Sequence, residues 1–174
     1  MGRADDSSRP PSLEEFAPGR LPGYGPVGVI DIGSNSVRLV LYERLSRALT
    51  PLFNEKVLAG LGRGLAESGK LADESIDSAL AAIRRFRQLA TQSGATQLDV
   101  IATAAVRDAE NGPAFIKAVT DICGGDLQVL SGQDEAKVSA LGVASSFWKP
   151  DGVVGDLGGG SLELIDINGD ELGV

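Results

Sequence analysis

The stretch Val27-Gly-Val-Ile-Asp-Ile-Gly-Ser-Asn-Ser-Val-Arg-Leu-Val-Leu-Tyr42 decides the fold class. Its apolar run Val27 to Ile32 stops at Gly33, and β-branched and aliphatic residues resume from Val37 to Tyr42, which predicts a strand, a tight turn and a second strand. The same device returns near the other end of the chain, where Val153 to Asp156 leads into Gly158-Gly-Gly160 and Ser161 to Ile167 follows. Asp31-Ile-Gly-Ser-Asn-Ser36 and Asp156-Leu-Gly-Gly-Gly-Ser161 thus form a weak internal repeat.

Between the two copies, strands and helices alternate. A third strand is expected around Thr50 to Leu58, at a sheet edge or with a late start, because Pro51 has no amide hydrogen to donate. Gly60-Leu-Gly-Arg-Gly64 reads as a loop, since no strand there runs directly into a helix as a nucleotide loop requires. Asp73 is expected to cap a helix whose apolar residues Ile76, Leu80, Ile83, Phe86 and Ala90 recur at helical spacing until Gly94. Leu98 to Ala102 and Leu127 to Leu130 read as strands, and Pro113 to Ile122 as a helix. Ser131 with Asp134 fits an N-cap and capping box for a helix through Ala136 to Phe147. The order is β-β-β-α-β-α-β-α, then Lys149-Pro-Asp-Gly152, the second hairpin and a turn at Asn168-Gly-Asp170. This predicts an α/β fold with a mixed five-stranded sheet and flanking helices, followed by the first strands of a second, similar unit. The expected organisation is a flexible Pro- and Gly-rich tail over 1–25, a first domain over 26–148, and the start of a second over 149–174.

Composition narrows the chemistry. The 174 residues are 43% hydrophobic and 23% charged, ordinary for a globular protein with one well-buried core. A net charge of −8 disfavours nonspecific nucleic-acid binding through a broad basic surface, so a polyanionic ligand needs local donors or a metal. The absence of histidine removes the Ser-His-Asp triad and imidazole metal ligands, leaving proton transfer to carboxylates. The lone Cys123 is expected to be a buried structural thiol. No apolar run approaches the ~18 residues of a membrane span, and a cytoplasmic, soluble protein without membrane partners is expected.

Glycine lets successive backbone N–H groups converge, and neighbouring hydroxyls and amides add donors, so each turn can cradle a phosphate group. A single Gly-Gly-Gly is more often an ordinary hairpin turn; recurrence of strand, Asp-x-Gly turn, Ser and strand points to two half-folds clamping one phosphate chain. Strand alternation puts Ser36 with Arg38, and Ser161 with Glu163, on one face. Arg38 can fork onto a phosphate oxygen or stand as a solvated surface arginine. Asp156 and Glu163, on the two arms of one hairpin, can share a hard divalent cation such as Mg²⁺.

At these residues the sequence resembles the exopolyphosphatase and guanosine pentaphosphate phosphatase family, within the actin, heat-shock-chaperone and sugar-kinase superfamily. The motifs fall in family order: Asp31 to Ser36, Ala102-Thr-Ala-Ala-Val-Arg107, Leu130-Ser-Gly-Gln-Asp-Glu-Ala136 and Asp156 to Glu163. The resemblance implies an actin-like fold of paired ribonuclease-H-like domains facing across a cleft. It implies Glu135 as the carboxylate that orients or activates water, with Asp134 as the capping partner, and Asp156 and Glu163 as Mg²⁺ ligands. It implies phosphate contacts from Gly33, Ser34, Asn35, Ser36, Arg38 and Arg107, and from Gly158, Gly159, Gly160 and Ser161. The implied substrates are inorganic polyphosphate or guanosine pentaphosphate, and the implied full-length form is a homodimer. Relatives continue through the rest of the second domain, of which this chain is expected to hold the leading hairpin.

Two other classes fit the paired turns. One is a module that grips phosphate or guanosine tetraphosphate without turning it over; the other is an ATP-dependent kinase of the same superfamily.

Overall fold

The computed structural model describes residues 25–46, 49–159, 161–169 and 171–173. The expected tail, but for Gly25, and Gly160 and Asp170 of the two later turns lie outside the described residues. In chain order the elements are β1 (Val27–Ile32), β2 (Val37–Tyr42), β3 (Pro51–Val57), α1 (Leu65–Ser68), α2 (Asp73–Gln92), β4 (Gln97–Ala102) and α3 (Ala104–Asp108). They continue with α4 (Gly112–Cys123), β5 (Leu127–Val129), α5 (Gly132–Ser146), β6 (Asp151–Leu157), β7 (Leu162–Asn168) and β8 (Glu171–Leu172).

The first sheet has the order β3-β2-β1-β4-β5. β1, β2 and β3 form an antiparallel meander, whereas β4 returns beside β1 in parallel and β5 beside β4. Pro51 opens β3 at the sheet edge, where a missing donor leaves no ladder bond unmade. Alternation aims Ile30 and Ile32 of β1 and Val37, Leu39 and Leu41 of β2 at one core, where they are fully or almost fully buried. α2 supplies the facing layer through Ala79, Ile83, Phe86 and Ala90, and α4 packs beside it through Phe115 and Val119. Each such Ile, Leu or Phe side chain contributes about 1.5–3 kcal/mol by leaving water. Cys123 ends α4 as a buried free thiol, its pKa pushed up by that burial against the opposing charge of Arg87.

Three local expectations change. Asp73 does not cap α2: it is the first helical residue, Ala72 holds the cap position, and no side chain bonds the free amides. Its carboxylate, with that of Glu74, faces the positive end of the helix dipole instead. The short helices α1 and α3 were absent from the expected order, because 4 and 5 residues are too few to establish a hydrophobic period. Finally, α5 packs on the second sheet, burying Ala136 and Ala140 against Ile165, Val154 and Leu172. The boundary expected between 148 and 149 therefore falls between this helix and the sheet it covers. With two alanines as its seam, α5 carries too little hydrophobic contrast to announce its partner.

The second sheet is an antiparallel meander β6-β7-β8. α5 covers one face; on the other, Leu157, Leu162 and Leu164 are 80%, 58% and 65% exposed. Superposing the two Asp-x-Gly turns makes these the counterparts of Ile32, Val37 and Leu39, each at 0% beneath α2. The two hairpins repeat one another, but this chain covers opposite faces of them.

Candidate active site

Each hairpin closes by the same hydrogen bond. Gly33 N–H donates to Ser36 C=O at 3.0 Å, and Gly158 N–H donates to Ser161 C=O at 2.9 Å. The first turn is braced from behind by the loop after β3, where Gly62 N–H donates to Ser34 C=O at 2.7 Å and Gly60 N–H to Asn35 C=O at 2.9 Å. That is the role of the 60–64 glycines, which were expected to form only a loop.

The two turns meet. A Cβ placed on Gly159 would stand 3.3 Å from the Cβ atoms of both Ser34 and Asn35, and 3.4 Å from the Asn35 amide nitrogen. Between them opens a cleft of about 370 Å³. Gly33, Ser34, Asn35 and Ser36 line one wall, and Gly158, Gly159 and Ser161 the other. Asp31, Glu135 and Asp156 bring carboxylates to it, Thr103 a hydroxyl, and Lys56 its one basic side chain among the described residues.

Glu135 reaches the cleft from α5, whose start is capped by Ser131. The Ser131 Oγ accepts from Asp134 N–H at 3.1 Å and donates to Asp134 Oδ2 at 2.7 Å, as the capping-box reading expected. Burial, then the charges of Glu163 and Asp156, push the Glu135 carboxyl above its ordinary range; Arg107 opposes the shift and Asp31 adds to it. Among the described residues its Oε2 is buried without a hydrogen-bond partner.

Asp156 and Glu163 stand directly opposite one another in the β6–β7 register. Asp156 borders the main cleft, and Glu163 lines a smaller space of about 150 Å³ beside Gly132 and Lys137. Asp156 Oδ2 accepts a hydrogen bond from Ser139 Oγ, one helical turn beyond Glu135. Glu163 Oε2, like that of Glu135, is buried and has no hydrogen-bond partner among the described residues. Among the described residues no three His, Cys, Asp or Glu side chains stand close enough to hold a metal ion by themselves. Two opposed carboxylates, one with an orphaned oxygen, nevertheless fit a hard cation whose remaining ligands are phosphate oxygens and water.

The two arginines stand outside the cleft lining. Arg38 Nε donates to Asn54 Oδ1 at 2.9 Å. Arg107 Nε donates to Asp108 Oδ1 at 2.9 Å and Nη1 to Leu130 C=O at 3.0 Å, from where its charge still acts on Glu135. Lys56 and Ser139 are polar residues that sequence reasoning missed, and Thr103 and Asp31, quoted there only within their motifs, were given no role in the site. For Ser139 a signal was present, since i and i+4 share a helix face and Glu135 marks that face. For Lys56 it lay only in the register, which sets Asp31 opposite Arg38 and Arg38 opposite Lys56 across three strands.

A ribonuclease-H-like sheet with one Asp-x-Gly turn, meeting a second such turn over an acidic cleft, defines the actin-like class of α/β proteins. Comparison with known proteins narrows this. The Ppx/GppA phosphatase family matches residues 40–173. Exopolyphosphatase 1 of Mycobacterium bovis is 35% identical over 141 residues, covering 79% of this chain and 41% of that protein. Among solved structures, an exopolyphosphatase from Cytophaga hutchinsonii superposes with a TM-score of 0.78 at 30% identity, over 84% of this chain and 48% of that one. The Ppx/GppA family member from Aquifex aeolicus superposes with a TM-score of 0.76 at 29% identity, over 85% of this chain and 49% of that one. This chain belongs to the Ppx/GppA phosphatase family and has its actin-like fold. It spans about 41% of the length of the curated relative quoted above.

Proposed function

We propose that the cleft takes the end of an inorganic polyphosphate chain, or the phosphate chain of guanosine pentaphosphate, and hydrolyses its terminal phosphoanhydride. The reading rests above all on the approach of Gly159 to Asn35, which lets both glycine turns address one ligand beside Glu135.

In this mechanism the two turns hold successive phosphates through backbone amides and the hydroxyls of Ser34, Ser36 and Ser161. Glu135 accepts a proton from water as the water oxygen bonds to the terminal phosphorus. The phosphorus–oxygen bond to the next phosphate breaks, orthophosphate leaves, and the remaining chain carries the electron pair on its new terminal oxygen. A carboxyl held above its ordinary pKa is a stronger base than a free carboxylate once ionised, which suits it to this step. Asp156 and Glu163 are the residues that would hold Mg²⁺, which when bound supplies neutralisation of charge on the phosphate oxygens. Ser139 fixes the Asp156 carboxylate for that purpose.

The test is orthophosphate release in Mg²⁺ buffer from polyphosphate, guanosine pentaphosphate and ATP, by this chain and by a longer form containing the rest of the second domain. Release from polyphosphate or guanosine pentaphosphate is expected. Tight binding with no release from either form would favour a phosphate-gripping module, and phosphoryl transfer from ATP to an acceptor would favour a kinase.

A further inference from the structure

We propose that Lys56 is a substrate-binding residue of this cleft, its ammonium gripping a phosphate of the bound chain. The inference rests on the phosphate-chain reading above and names a contact within it.

Lys56 comes from the edge strand β3, and its neighbours set its place. It lies opposite Arg38, which lies opposite Asp31 at the mouth of the first turn. Of the two cations in this row, Arg38 is held by Asn54, while Lys56 borders the cleft with Ser36 and Asp31. No hydrogen bond or ion pair holds the Lys56 ammonium among the described residues, so three donors remain for a ligand.

The charge balance gives that donor a purpose. Asp31, Glu135 and Asp156 all border the cleft, and an entering polyanion meets their repulsion. Lys56 is the lining cation that opposes it, as a compact charge on a flexible stem suited to successive phosphate oxygens.

Lys56 and Glu135 line the same cleft, so a ligand held beside the water-orienting carboxylate is within the reach of that wall, and the loss of this contact is expected in binding affinity.

The experiment is calorimetric titration of inorganic tripolyphosphate into this chain, with orthophosphate release measured in parallel. Lys56→Gln is expected to weaken binding roughly tenfold or more. Lys56→Arg should keep most of the affinity, and Lys117→Gln, on the far helix α4, should change nothing. Thermal melting of Lys56→Gln should match the wild type, because the side chain is exposed. Unaltered affinity in Lys56→Gln overturns the proposal, as does equal loss in Lys56→Arg. A wild-type chain that binds tripolyphosphate but releases no orthophosphate sinks hydrolysis alone and leaves this contact to the binding comparison. One that does not bind it sinks both.

Discussion

Gly159 and Asn35 lie so close that a methyl group on Gly159 would come within 3.3 Å of the Asn35 Cβ and 3.4 Å of its amide nitrogen. The contact joins residues from the two ends of the chain, and the cleft exists because of it. Gly159→Ala should push the turns apart by a few tenths of an ångström and weaken tripolyphosphate binding, and Gly159→Val should weaken it further, with little change in melting temperature. Gly33→Ala is the contrast: its nearest non-neighbour atom would be Ser36 C=O at 3.5 Å, an ordinary contact, so binding should fall less. Equal effects at the two glycines would argue against the close approach.

Glu135→Gln should lower orthophosphate release by roughly 100-fold or more in any active form, while tripolyphosphate still binds. In the unsubstituted protein the rate should decline as pH falls through the elevated Glu135 pKa, because only the ionised carboxylate accepts the proton. A rate independent of pH from mildly acidic to neutral would exclude that role.

Asp31 makes a stability prediction. Burial pushes its carboxyl up; Arg38 opposes the shift, Asp156 reinforces it and Lys56 opposes it. An acid whose folded pKa is raised holds its proton to higher pH when folded than when unfolded. Folding stability then declines as pH climbs from the unfolded toward the folded pKa, and the penalty is complete above it. Asp31→Asn should therefore melt higher than wild type at pH 7, with the gap closing as pH falls below the usual carboxylate range. Thermal melts across that window check it, and a gap that widens on acidification would contradict the stated sign.

Ser131→Ala removes the cap of α5 and should cost about 1 kcal/mol. Because that helix carries Glu135 and Ser139, turnover should fall along with stability. Ser131→Asn, which keeps a capping oxygen, should restore both; chemical denaturation and phosphate release read the two effects separately.

With Asp156 and Glu163 holding Mg²⁺ as proposed, Ser139→Ala should reduce Mg²⁺ affinity by about 10-fold or more, since a carboxylate freed from its hydrogen bond is less well oriented. Titration with Mg²⁺ in the absence of substrate measures this directly. Affinity equal to wild type would remove Ser139 from any supporting role.

The hairpins were legible because their cause is local. Alternating apolar residues on both sides of Gly33 and of Gly158 leave few conformations other than strand, turn and strand, and β1, β2, β6 and β7 appear where that pattern stands. Ser131 and Asp134 sit within one helical turn, so their pairing was readable as well. The two turns and Asp156 were singled out from glycine chemistry and strand alternation, and Glu135 through the family motif it matches.

What stayed hidden involves partners distant in the chain. That Lys56 borders the cleft while Arg38 leans on Asn54 follows from cross-strand register, and that Ser139 meets Asp156 follows from how α5 settles on the second sheet. The sequence alone determined which short segments bend and which extend, because backbone sterics and side-chain alternation act over a few residues. Only the tertiary structure decided which bends face one another and which charges share a cavity. Those outcomes belong to the packing of whole layers, where burial of apolar faces overrides any single residue's preference.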